Sequence, residues 1–138
     1  LEKNMADAVT SQTLFDNERT AIMKFTNLSD GTGESKVLKV DVSALTPSAS
    51  GKTCTRVTIT KIHAATHGLD VQIYWDATTD VFCWCMPQNS QYTMDFDKFG
   101  GLTNNAGAGV TGDVLFSTAD ASAGDFYTIV LEMVKFYG

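Results

Sequence analysis

Along most of the chain apolar and polar residues alternate with a period of two, the spacing of a strand with one buried face. From Thr55 to Ile62, Val57, Ile59 and Lys61 fall on one side and Arg56, Thr58, Thr60 and Ile62 on the other. Val37–Val42 repeats the pattern, and Ala21–Leu28, Val71–Trp75, Tyr92–Phe96, Asp113–Thr118 and Phe126–Phe136 join the set of candidate strands. Val81-Phe-Cys-Trp-Cys-Met86 lacks polar residues and predicts a strand buried on both faces. Between these eight strands lie turn-forming segments: Ser29–Gly33, Pro47–Gly51, His67-Gly68, Asp76–Asp80 and Pro87–Gln91. Evenly spaced short strands without a helical stretch predict an all-β fold, either an antiparallel β-sandwich or a jelly-roll-like barrel.

The N-terminal segment breaks the pattern. Met5–Thr13 carries few apolar anchors before Leu14 and Phe15, and is predicted to form a short helix or an arm held by another chain. Residues 1–16 are therefore expected to be an N-terminal extension and residues 17–138 one β domain. The internal Met5 predicts that Leu1–Asn4 precede a translation start, and the opening residues lack the features of a secretory signal.

Composition narrows the class. At 138 residues, 43% apolar and 19% charged, the chain can bury a core and is neither disordered nor rich in membrane-length apolar runs. Its net charge is −6, and only Arg19 and Arg56 among its bases are arginines, which disfavours a surface that tracks phosphates. Three cysteines, Cys54, Cys83 and Cys85, form no disulfide framework, which fits folding in a reducing cytoplasm.

Candidate chemistry is sparse. His63 and His67 lie four apart on a strand, about 13 Å, too far to share an ion. Cys83 and Cys85 point to one face of their strand but lack the knuckle spacing of a zinc site, so no metal is expected. Asp76 with Asp80, and Asp95 with Asp97, are the acid pairs a glycosidase would need, flanked by Tyr74, Trp75, Trp84 and Tyr92. The simpler reading places Asp76 and Asp80 in a hairpin turn, bonding local backbone, and no nucleophile motif accompanies them. No catalytic residue and no cofactor is predicted.

Two features remain. The loop Phe99-Gly-Gly-Leu-Thr-Asn-Asn-Ala-Gly-Ala-Gly-Val-Thr-Gly112 has five glycines and two asparagines, suited to wrapping a partner, lying flat on a surface or forming a mobile tip; without a following lysine it is no phosphate cradle. Trp75 and Trp84 sit on neighbouring strands, as core if they face inward and as a protein interface or sugar platform if one faces out. The candidate interface residues are Leu14, Phe15, Trp75, Leu102, Asn104, Asn105 and Val110.

The stretch Val71–Val81, the run from Phe99 through Thr111-Gly-Asp-Val-Leu-Phe-Ser-Thr118 and the ending Ile129–Gly138 resemble small virion structural proteins of tailed bacteriophages. The resemblance covers about the last half of the chain. It implies a non-enzymatic, multi-copy particle component assembled in the host cytoplasm: a capsid decoration or cement protein on the shell exterior, with the major capsid protein as partner and an N-terminal segment adding to a strand edge of that protein. A homo-oligomer, dimer or trimer, is expected, with no direct contact to nucleic acid or membrane. A tail or neck subunit is the alternative within that class, and a carbohydrate-binding module using exposed Trp or Tyr is the alternative outside it.

Overall fold

The computed structural model describes residues 7–138. The expected extension Leu1–Asn4 and the first two residues of Met5–Thr13 lie outside the described residues. Nine strands follow in order: β1 Ala8–Asp16, β2 Thr20–Asp30, β3 Val37–Val40, β4 Arg56–His67, β5 Asp70–Trp75, β6 Val81–Met86, β7 Gln91–Asp95, β8 Val114–Ala119 and β9 Ala123–Phe136. All eight expected strands form. Single 3-10 turns stand at Val42–Ala44 and Asp97–Phe99, and no helix among the described residues is long and apolar enough to cross a membrane.

The strands form two antiparallel sheets, β1-β2-β9-β4-β7 and β3-β8-β5-β6. β2 pairs with β9, β3 with β8, β4 with β7 and β5 with β6. The chain from β2 to β9 is thus one long antiparallel hairpin, its tip at the β5–β6 turn, wound so that β4 also meets β9 and β5 meets β8. This is the wiring of a jelly roll, laid out as a sandwich and not as a closed barrel. Its core fills the space between the sheets with alternate residues, among them Phe25, Ile59, Ile62, Ile73, Trp75, Phe116, Tyr127, Ile129 and Leu131. Phe116 meets Phe25 and Tyr127 edge-on, with centroids 5.2 and 5.9 Å apart.

Four sequence expectations are corrected by bulges and by strand order. In β4 the register slips between Ile59 and Lys61, so Thr60 is an extra residue. The bulge exchanges the faces beyond it: Ile62, Ala64 and Thr66 face the core with Val57 and Ile59, and Lys61 turns outward. β6, expected to be buried on both faces, is an edge strand whose Phe82 is exposed. A second bulge leaves Cys83 unopposed and packed against the core, while Cys85 lies opposite Gln72, so the two thiols do not share a face. The N-terminal segment is neither helix nor free arm from residue 8 onward: β1 pairs with β2 along its length, with a bulge at Leu14.

Two ammonium groups are sealed into the sandwich. Lys135 continues the inward-facing series Tyr127, Ile129, Leu131, Met133 of β9, and its side chain is fully buried. All three of its donors are used, to Asp16 Oδ1 at 2.6 Å and to the carbonyls of Asn17 and Thr46 at 2.6 and 2.7 Å. Lys39 is the extra residue of a bulge in β3 and reaches Glu34 Oε2 at 2.6 Å. Glu34 Oε1 accepts from Tyr127 Oη and Asn27 Nδ2, and the Asn27 amide also donates to Asp7. Asp7 Oδ1 accepts from Ser29 Oγ and the backbone N–H groups of Asp30 and Gly33. Each network thus grips one end of β1, at Asp7 and at Asp16.

Burial raises both of those carboxyls, but the bonds they accept outweigh it, from Lys135 and Thr46 on Asp16 and from Asn27, Gly33, Asp30 and Ser29 on Asp7, and hold both below the ordinary value of 3.8. For Lys135, burial is likewise outweighed by Asp16 and Tyr137, which hold its ammonium above its ordinary value.

Removing one member of the Lys135 pair strands a buried charge. Asp16→Ala is expected to cost about 3–5 kcal/mol in urea unfolding, and Asp16→Ala with Lys135→Met to recover much of it. Groups with depressed folded values stabilise fully above their unfolded pKa and lose that contribution as pH falls through the folded one. The melting midpoint is therefore expected to drop as pH falls below about 4, with a shallower slope in Asp16→Asn. Asp113, raised by burial and by Asp41 and Asp76, offsets part of that slope.

Candidate interaction surface at the glycine–asparagine loop

The loop between β7 and β8 is tied down along its length. Leu102 exchanges two backbone hydrogen bonds with Ile59 of β4, at 2.8 and 3.1 Å. Gly101 N donates to the Phe96 carbonyl, and the Ala108 carbonyl accepts from Thr78 N in the β5–β6 turn. Thr111 donates through its N–H and its hydroxyl to Asp76. Glycine is required where these contacts are closest. Gly101 (φ +98°) lies against Thr58 Cγ2 and the Ile59 carbonyl, and a Cβ on Gly112 (φ +89°) would collide with the Thr55 carbonyl oxygen. The loop is therefore packed onto the sandwich, as expected of a segment lying flat on a surface.

Under and beside it are two depressions. One of about 340 Å³ is lined by Trp75, Phe82, Cys83, Gly101, Leu102, Thr103 and Asn105. The other, about 280 Å³, is lined by Thr55, Arg56, Asn104, Ala106, Val110, Gly112 and Gly138. Trp75, Leu102 and Asn105 thus meet in the first, and Asn104 and Val110 in the second. Trp75 is 1% exposed, so it serves as core and presents no face to a partner, the inward alternative weighed above. Trp84 is half-buried; it donates its indole N–H to Tyr92 Oη at 3.1 Å and stands edge-on to Phe96. Asn104 Oδ1 accepts from Ala106 N, and its buried Nδ2 has no partner among the described residues. Leu14 and Phe15 line neither depression; they lie exposed on β1, at the opposite edge of the five-stranded sheet from β7.

The sequence pattern missed the other exposed apolar groups. Phe99, 68% exposed, stands beside Phe96 with centroids 6.0 Å apart. On the outer face of the four-stranded sheet, exposed Leu38 and Phe82 end a row across all four strands whose middle members are buried Leu115 and half-buried Tyr74. On the outer face of the five-stranded sheet, Leu28, Phe126 and His67 form another, with the His67 ring stacked on Phe126. The signal was present as apolar residues at outward positions of alternating strands, which only a known sheet order makes visible.

The remaining polar candidates serve the fold. Asp80 Oδ1 accepts from Ala77 N within the turn and its other oxygen faces Lys36, which hold its carboxyl below the ordinary value. Asp95 Oδ1 accepts from Asp97 N. His63 bridges Thr93 and Glu132, at 3.0 and 2.6 Å, beside an open depression of about 470 Å³ on the five-stranded sheet. The three cysteines are free, and burial pushes the Cys83 thiol up to about 12. Among the described residues no three His, Cys, Asp or Glu side chains converge on a metal position. No protein-family model matches the chain, and no curated protein matches it in sequence.

Close approach gives the loop glycines separable roles. Gly112→Ala is expected to lower stability by more than about 1 kcal/mol in chemical denaturation, from strain at positive φ and collision with Thr55. Gly107→Ala, whose Cβ would enter open space, is expected to leave it unchanged or raise it by about 0.5 kcal/mol.

Proposed function

We propose that this chain is a non-enzymatic virion structural protein of a tailed bacteriophage, a decoration protein that binds the outside of the major capsid protein shell as a homo-oligomer and stabilises it. The observation that carries the reading is where the chain leaves apolar area uncovered. Leu38 and Phe82 on one sheet, Leu28 and Phe126 on the other, and Phe99 and Val110 on the loop are all exposed, on broad open surfaces. Such a distribution suits shallow contacts made in many copies better than enclosure of a small substrate. The jelly-roll wiring occurs in capsid proteins and in lectins alike, so the fold alone does not choose between them. What favours the shell over a glycan is the tryptophans, one buried and the other half-buried with its indole N–H bound to Tyr92.

Charge supports an exterior position. The chain carries −6, and of its two arginines Arg56 lies over the Phe136 ring at 4.2 Å. That balance disfavours tracking the phosphates of packaged DNA. A clamp outside the shell stabilises it to the extent that it binds the assembled state better than free subunits.

Quantitative mass spectrometry of purified virions, paired with rebinding to stripped shells, tests the reading. Copy numbers close to those of the shell protein and saturable rebinding are expected. Copies far below that number would move the chain to the tail or neck, and absence from particles would overturn the virion reading.

A further inference from the structure

The five-stranded sheet ends on an edge that the described residues leave open. Among the described residues β1 pairs with β2 on one side and has no strand on the other. Ala8 to Phe15 are exposed throughout, so the strand contributes little to the core. Edge strands are commonly guarded by charge, proline or shortness. Two of the other three edges follow that custom, β7 with five residues and Asp95 and β3 with four and Lys39, while β6 is six residues long, bulged at Cys83 and largely half-buried. β1 is longer than any of them and has neither charge nor proline from Ala8 to Phe15; its one irregularity is the bulge at Leu14. Yet it is held extended, with Asp7 and Asp16 fixed by the two buried lysine networks.

We propose that the free edge of β1 pairs antiparallel with β1 of a second copy, joining two five-stranded sheets into one of ten strands across a two-fold axis. A strand edge run antiparallel is its own complement, as an isologous contact requires. Charge selects a second copy over a foreign partner. Each copy carries −6, so two copies meet with least repulsion along a stretch that has no charge. A foreign partner of so acidic a protein would be met by complementary charge, which β1 does not offer.

The pleat limits the register. Ala8, Thr10 and Gln12 share the outer face with Leu28, Thr26 and Lys24, while Val9, Ser11 and Thr13 share the inner one with Asn27, Phe25 and Met23. Directly opposed residues lie on the same face, so the axis passes through a residue and not between two. An axis through Ser11 centres the uncharged stretch up to the bulge, with Thr10 opposite Gln12 and Val9 opposite Thr13. A single edge buries less than large permanent interfaces do, which makes the pairing reversible in the micromolar range. The proposal stands independently of the virion reading.

Sedimentation velocity of the full chain across that range is expected to show a monomer–dimer equilibrium. Ser11→Lys sets like charges opposite one another across the axis and is expected to raise the dissociation constant about two- to fivefold, with an unchanged melting midpoint at concentrations where the chain is monomeric. Ser11→Cys is expected to give a disulfide-linked dimer under mild oxidation that leaves the parent chain monomeric on a denaturing gel, because opposed strand residues lie within disulfide reach. A monomer at every concentration, a trimer, whose strand edges cannot all pair, or a dimer indifferent to both substitutions would overturn the proposal.

Discussion

Two positive charges lie where water cannot reach them, and the arrangement of the sandwich's ends follows from satisfying them. An ammonium in such a place persists only if its donors find acceptors and its charge finds an opposite. For Lys135 these come from the β1–β2 turn, through Asp16 and the Asn17 carbonyl, and from the Thr46 carbonyl in the β3–β4 connection. For Lys39 they come from Glu34, itself bound to β9 through Tyr127 and to β2 through Asn27. Both solutions recruit segments that carry little apolar area of their own. The buried networks thereby fix the two ends of a strand that is held along its length by its backbone ladder to β2 and not by hydrophobic burial.

That division of labour explains how one small molecule presents so much surface. Alternate residues of β2 to β9 supply the core, which releases the outward positions from any packing duty. The glycine–asparagine loop extends the surface while resting on the core through Leu102 and Ala106, because its glycines let backbone approach backbone. The two outer faces, the loop and β1 are thus all available for contacts beyond the chain.

Alternation, together with the all-apolar run Val81–Met86 and the turn residues between the runs, made β2 to β9 legible. What alternation could not show is where it breaks. A single extra residue at Thr60 reverses the faces of Lys61 and Ile62, and bulges have no reliable apolar signature. β1 escaped for the opposite reason: it buries nothing, so its sequence carries no period to read. At the candidate surface, the convergence of Trp75 with Leu102 and Asn105 was unreadable because it depends on a loop returning to the β5–β6 turn. The outward rows through Phe82 and Phe126 depend in the same way on strand order.

The nested hairpin also sets the order of events during synthesis. β9 runs down the middle of the five-stranded sheet, with β2 and β4 on either side. Until β9 has left the ribosome, those two strands lack their shared neighbour and the inner face of the sheet has no centre. The growing chain therefore has no stable halfway structure to rest in, and its apolar strands stay reliant on dilution or chaperones until the last of them arrives.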